Sequence, residues 1–140
     1  MKISTKGRYG LAVMQVLAQK NTSQTVQGIA EQIGVSKIYL EQVFAMLKKS
    51  NLVISQKGSA GGYSLADTPK NITVYSILKA TETSLFEITQ PTTTNKDNNI
   101  LENILINKVW SPLDNSIKEL LSKITLEHLI ASSTPDMFYI

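Results

Sequence analysis

Wound at about 100° per residue, the stretch from Ser36 to Lys49 sorts its side chains onto two sides. Ile38, Glu41, Gln42, Ala45 and Lys49 make a front, and Leu40, Val43, Phe44 and Leu47 make an apolar back. The chemistry of that front is the chemistry of base edges. A glutamine pairs with adenine, a glutamate accepts from the cytosine amino group, and an aliphatic side chain meets the thymine methyl, so Gln42, Glu41 and Ile38 are candidate readers of a major groove. Ser36, Lys37 and Tyr39 stand at the amino end, where a hydroxyl, an ammonium and free helix N–H groups hold phosphate. The competing reading is a solvated surface helix; Ile38 and Ala45 on the outer side weigh against it.

Two further groups carry the same chemistry. Lys57, Gly58, Ser59, Gly61 and Gly62 fall in one glycine-rich tip, in which Lys57 can enter a minor groove or bind phosphate while the glycines let backbone approach backbone. The same composition also suits a plain flexible turn. Lys2, Lys6 and Arg8 open the chain and are candidate phosphate contacts, with a salt bridge as the alternative for Arg8. The charge distribution agrees: residues 1–80 hold ten Lys/Arg against three acids, and residues 81–140 hold four lysines against eight acids. That asymmetry suits a first part that faces a polyanion, the alternative being an ordinary solvated lysine surface.

Other chemistries lack their residues. With no cysteine in 140 residues, disulfides, thiolate nucleophiles and cysteine-held clusters or zinc are excluded, and the single His128 cannot build a multi-histidine site. The acids are scattered without spacing logic, so an enzyme is not expected. No apolar run reaches the ~18 residues of a membrane span and no signal-peptide pattern opens the chain, which points to a cytoplasmic protein with no membrane partner.

The elements that position these groups follow from caps and periodicity. Ser4 or Thr5 caps a first helix to about Gln19, and Thr25 caps a second over Val26–Ile33 that Gly34 ends. Ser36 caps the third, which runs to about Ser50. Short runs at Leu52–Ser55 and Tyr63–Leu65 flank the glycine-rich tip and predict a hairpin. Thr73 caps a helix over Val74–Thr81. The expected fold is mainly α with a small β-hairpin wing, a winged helix-turn-helix domain plus a long C-terminal dimerisation helix. Its parts are the winged domain over residues 1–82, a loop over 83–99, the dimerisation helix and a short terminal helix over 100–131, and a tail over 132–140. Trp110, Leu113, Ile117, Leu120 and Ile124 step by three and four and read as a seam for a second helix. Pro112 interrupts that seam, and Ser111-Pro112 reads as the start of a fresh helix. Thr125 caps a last short helix, Leu126 to Ala131.

Met1-Lys2-Ile3-Ser4-Thr5-Lys6-Gly7-Arg8-Tyr9-Gly10, Tyr39-Leu40-Glu41-Gln42 and Gly58-Ser59-Ala60-Gly61-Gly62-Tyr63 together resemble the bacterial winged-helix regulators of the IscR/NsrR/CymR type. The likeness covers essentially the whole chain, through Trp110 and Thr125-Leu126-Glu127-His128-Leu129. It implies homodimeric transcription factors, mostly repressors, that dimerise through the long C-terminal helix and read palindromic operators in double-stranded DNA. By position, Ser36, Tyr39, Glu41 and Gln42 would face the groove, and Lys57 to Gly62 would form the wing. Three departures stand out. Members with a sensory iron-sulfur cluster carry three cysteines before the dimer helix, and residues 83–99 have none, so no cluster cofactor is expected. Lys57 stands where many relatives have arginine, and Pro112 where they run a continuous helix.

The ending Met137-Phe138-Tyr139-Ile140 is similar to that of the family's cysteine-metabolism repressors. That likeness implies cysteine synthase (O-acetylserine thiol-lyase) as a partner through Phe138, Tyr139 and Ile140, with O-acetylserine opposing the complex. Taken alone, the tail is either an apolar plug with one carboxylate for a partner's pocket or a segment folded back on its own domain. A regulator of another regulon, or a protein-binding adaptor without DNA readout, are the alternative functions.

Overall fold

Hydroxyl caps set where the first four helices begin. Ser4 Oγ accepts from the Gly7 N–H at 3.1 Å, Thr25 Oγ1 from Gly28 at 3.0 Å, Ser36 Oγ from Tyr39 at 3.2 Å and Thr73 Oγ1 from Ser76 at 3.1 Å. They start α1 (Thr5–Lys20), α2 (Val26–Ile33), α3 (Lys37–Lys49) and α4 (Val74–Thr81) in a computed structural model that describes residues 2–58, 61–82 and 99–131. Each such cap is worth about 0.5–2 kcal/mol. Gly34, at φ 81°, ends α2 in the left-handed region, so α3 starts almost at once in a new direction.

The back of α3 is what holds that helix in place. Leu40, Val43, Phe44 and Leu47 are fully buried with Val13, Met14 and Leu17 of α1, Ile29 of α2 and Ile77 of α4. Truncating one of them would cost about 2–5 kcal/mol. After α3 come β1 (Val53–Ser55) and β2 (Tyr63–Leu65), antiparallel with Val53 opposite Leu65 and Ser55 opposite Tyr63. Leu52, expected in the first strand, instead gives its N–H to the Leu47 carbonyl at 3.0 Å and closes α3. Phe44 stacks on the Tyr63 ring at 4.4 Å and 18°, tying the wing to the back of α3. A short 3-10 turn, Pro69–Asn71, leads into α4. This is the mainly helical fold with a hairpin wing that the sequence predicts.

The C-terminal part corrects one expectation. Ser111 is helical, at φ −65° and ψ −45°, and its side chain caps nothing. The α-helical segment that begins at Ser111, as expected, continues the turn before it and is not capped afresh. The helix runs from α5 (Asn99–Leu105) through a π turn (Ile106–Trp110) into α6 (Ser111–Ser122), with the Ser111 N–H bonded five residues back to Ile106. Proline at 112 has no N–H for the carbonyl four residues earlier, and its ring would strike that carbonyl; a widened turn just before it relieves both faults. α7 (Leu126–Ala131) then returns to the winged domain: Leu126 is fully buried in the core, and Val74 and Leu126 give their N–H groups to Ile124 and Ile72 at 2.8 and 2.9 Å.

Candidate nucleic-acid interface

Each part of the front row of α3 is held outward by the buried row behind it. Ile38 is 73% exposed, and Ser36, Lys37, Glu41, Gln42, Ala45 and Lys49 are exposed beside it. An aliphatic side chain left so open is unfavourable without a partner to cover it. Among the described residues, no hydrogen bond or ion pair engages the side chains of Lys37, Glu41, Gln42 or Lys49. Ser36 accepts the Tyr39 N–H as a cap, which leaves its own hydroxyl proton to donate. Tyr39 is half-buried, with its ring edge-on to Tyr9 at 5.5 Å and 81°. That contact brings the start of α1 beside the start of α3. Lys2 and Arg8 there are exposed and Lys6 is half-buried; the salt bridge that was the alternative for Arg8 is absent among the described residues.

An open depression of about 350 Å³ runs between the start of α2, the front of α3 and the wing, lined by Thr25, Gln27, Lys37, Glu41, Gly62 and Tyr63. Lys37 and Glu41 therefore meet the wing, whereas Gln42 and Lys49 stand outside that depression. In the wing, Lys57 and Gly58 are exposed, Gly61 and Gly62 are half-buried, and Ser59 lies outside the described residues.

The sequence reading missed Gln24. Its N–H and carbonyl pair with the Tyr63 carbonyl and N–H at 2.9 and 2.8 Å, so the segment before α2 adds one residue of sheet to the wing. The glycine at 62 is required by this pairing, because at φ 115° a Cβ would run into the Gln24 carbonyl. The close backbone approach that the glycines allow is thus, at Gly62, an approach within the protein.

Along the C-terminal helix, Trp110, Ile117 and Ile124 are half-buried, while Leu113 and Leu120 are exposed. The tail residues Phe138, Tyr139 and Ile140 lie outside the described residues.

Comparison with known proteins places the chain among transcriptional regulators. The regulator CymR of Bacillus subtilis strain 168 is 35% identical over 146 residues, covering the whole of both chains. IscR of Pectobacterium carotovorum is 30% identical over 132 residues, covering 93% of this chain and 79% of that protein. A solved structure described as CymR, the global cysteine regulator of B. subtilis, superposes with a TM-score of 0.73 at 34% identity, covering 94% and 97% of the two chains. IscR of T. potens superposes at 0.72, also 34% identical, covering 99% and 97%.

Residues 3–132 match the Rrf2 family, described as iron-dependent transcriptional regulators. The donor set of this chain does not fit a thiolate-held iron centre, since it has no cysteine, and no group of three His, Cys, Asp or Glu stands together among the described residues. The exposed row on α3, the wing bound to its base and the full-length likeness meet in one assignment: the chain belongs to the Rrf2 family of winged-helix, DNA-binding transcriptional regulators.

Proposed function

We propose that the chain is a homodimeric repressor that lays α3 in the major groove of each half of a palindromic operator and sets its wing against the adjoining backbone. The observation that carries this reading is the exposed, unengaged row of Ile38, Glu41, Gln42 and Lys49 over a back that is wholly buried. Lys2, Lys6, Arg8, Ser36 and Lys37 hold phosphates around it, and Lys57 adds a cation at the wing. The exposed leucines of the C-terminal helix support pairing with a second copy. Such a regulator works in the cytoplasm, where its operators are.

The regulated genes serve cysteine and sulfur metabolism. The support is the full-length likeness to a protein whose solved structure is described as a global cysteine regulator. Cysteine synthase is the partner, receiving the Phe138-Tyr139-Ile140 end as an apolar plug with one carboxylate.

The test is capture of genomic DNA by the protein from cells grown rich and poor in sulfur, followed by titration of the captured site at several salt concentrations. Half-sites about one turn (~34 Å) or a multiple apart and a steep salt slope are expected. A flat response to both sequence and salt would mark an adaptor instead. Deleting Ile140 is expected to abolish synthase binding and leave DNA affinity unchanged; loss of folding would show that the tail packs on its own domain.

A further inference from the structure

The π turn at Ile106–Trp110 separates two half-helices whose apolar residues would otherwise not line up. In a regular α-helix, the three four-residue steps from Leu101 through Leu105 and Val109 to Leu113 drift by roughly 120° around the axis. A stripe so placed would wind out of any straight contact. The π turn holds one residue more per turn and so takes up most of that drift.

Exposure is compatible with the corrected winding, with Ile100 and Ile104, at 72% and 51%, exposed beside the stripe as well. Leu101, Leu105, Val109, Leu113 and Leu120 are between 38% and 63% exposed. Glu102, Ile106, Trp110, Asp114, Ile117 and Leu121 are half-buried, and they too keep one side through the turn, stepping by four before and across it and by three and four after. α6 rests on α4, with Lys118 Nζ 5.6 Å from the centre of the Tyr75 ring, so the half-buried side of α6 is the side turned to its own domain. The five-residue stripe is left facing outward.

We propose that the π turn set by Pro112 is a phasing element, which aligns Leu101, Leu105 and Val109 with Leu113 and Leu120 into one straight seam for a second copy of this chain. The inference rests on the homodimer reading and adds to it the upstream residues of the seam and the device that aligns them. Charge placement favours a second copy as the occupant. Lys108 and Glu119 lie on the same edge of the stripe, five residues before and six after Leu113, so a copy laid antiparallel about a two-fold axis near Leu113 meets Lys108 with its own Glu119, and does so twice. Among the described residues Glu119 pairs with the exposed Lys123 at 3.4 Å.

The test measures the dimer dissociation constant of the full chain by sedimentation, with circular dichroism as the check on folding. Leu113→Asp is expected to weaken dimerisation at least about tenfold, and it tests the homodimer reading itself: a monomeric parent, or indifference to Leu113→Asp, defeats that reading. Leu105→Asp is expected to weaken the dimer as much, and Ile100→Asp, off the stripe, hardly at all. Pro112→Ala permits a regular α-helix and is expected to weaken the dimer by about tenfold. Deleting Asn107 in the Pro112→Ala background removes the extra residue, restores the phase and is expected to recover the parent constant. If the dimer responds to Leu113→Asp but ignores both Leu105→Asp and Pro112→Ala, or if the Asn107 deletion fails to rescue a folded Pro112→Ala chain, the phasing role is overturned.

Discussion

Glu82 Oε1 accepts two hydrogen bonds from Ser4, one from its backbone N–H at 2.9 Å and one from its hydroxyl at 2.8 Å. The same hydroxyl accepts the Gly7 N–H and so caps α1. One carboxylate at the exit of α4 thus closes the start of α1, 78 residues away in sequence. A negative group there also suits the helix dipole. Gly7 is part of the arrangement, since a Cβ at that position would collide with the Glu82 carboxylate.

Removing this carboxylate should loosen the end of α1 that carries Lys2, Lys6 and Arg8. Glu82→Ala is expected to lower stability by about 1–3 kcal/mol in urea denaturation, because the Ser4 N–H and hydroxyl lose their acceptor in a partly buried place. Ser4→Ala should cost about 1 kcal/mol as a lost cap. The double variant should cost less than the sum of the two; strict additivity would show that the two residues act independently.

What the sequence revealed, and what it hid, divides along the range of the interactions. The starts of α1, α2, α3 and α4 were readable because Ser4, Thr25, Ser36 and Thr73 act on N–H groups three residues ahead, and Gly34 acts on its own backbone. The front and back of α3 were readable because burial alternates with the helical period. The Gln24–Tyr63 pairing was not, since a single residue of sheet leaves no alternation to detect. Nor was the reach of Glu82 to Ser4. The π turn escaped for a different reason: steps of three and four within the regular α6 already join half-buried Ile117 to exposed Leu113 and Leu120, so the apolar spacing carries no break that would mark a widened turn upstream.

Wing geometry gives a graded prediction. Gly62→Ala puts a Cβ against the Gln24 carbonyl at a backbone angle that side chains rarely adopt, so it should cost more than the ~1–3 kcal/mol of backbone strain alone and should also weaken operator binding. Gly61→Asn, at φ 60° with open space around it, should be tolerated to within about 1 kcal/mol. Thermal unfolding of the two variants ranks them. A Gly62→Ala protein as stable as the parent would mean that the Gln24–Tyr63 pairing is not maintained in solution.

Asp67 supplies a pH dependence with a definite sign. Its Oδ1 accepts from the Asn71 side-chain amide at 3.1 Å and from the Thr68 N–H at 2.7 Å, and these bonds, Asn71 first, hold its carboxyl below the ordinary aspartate value. The folded state therefore binds the proton less readily than the unfolded chain. Its contribution is fully present above the unfolded value and fades as pH falls through the lower, folded one. Carboxyl-carbon NMR should record a low titration midpoint that Asn71→Ala raises toward the ordinary value. A parent midpoint at the ordinary value would remove this turn-closing role.

Gln42 and Lys49 share the front of α3 yet should fail differently. A glutamine amide matches the donor and acceptor pair of adenine, so its loss is felt at one base position; a lysine ammonium meets phosphate, which every sequence offers. Gln42→Ala is expected to cost about 1–3 kcal/mol on the operator and to relax preference at a single position. Lys49→Ala should weaken operator and random DNA alike and reduce the salt slope by about one. Both side chains are exposed and the row behind them is buried, so neither change should alter folding. Titrations of both variants against the operator and a scrambled duplex at several salt concentrations separate the roles. If the two variants shift specificity and salt slope together, the row does not divide into a base reader and a phosphate anchor, and α3 must lie in the groove at another angle.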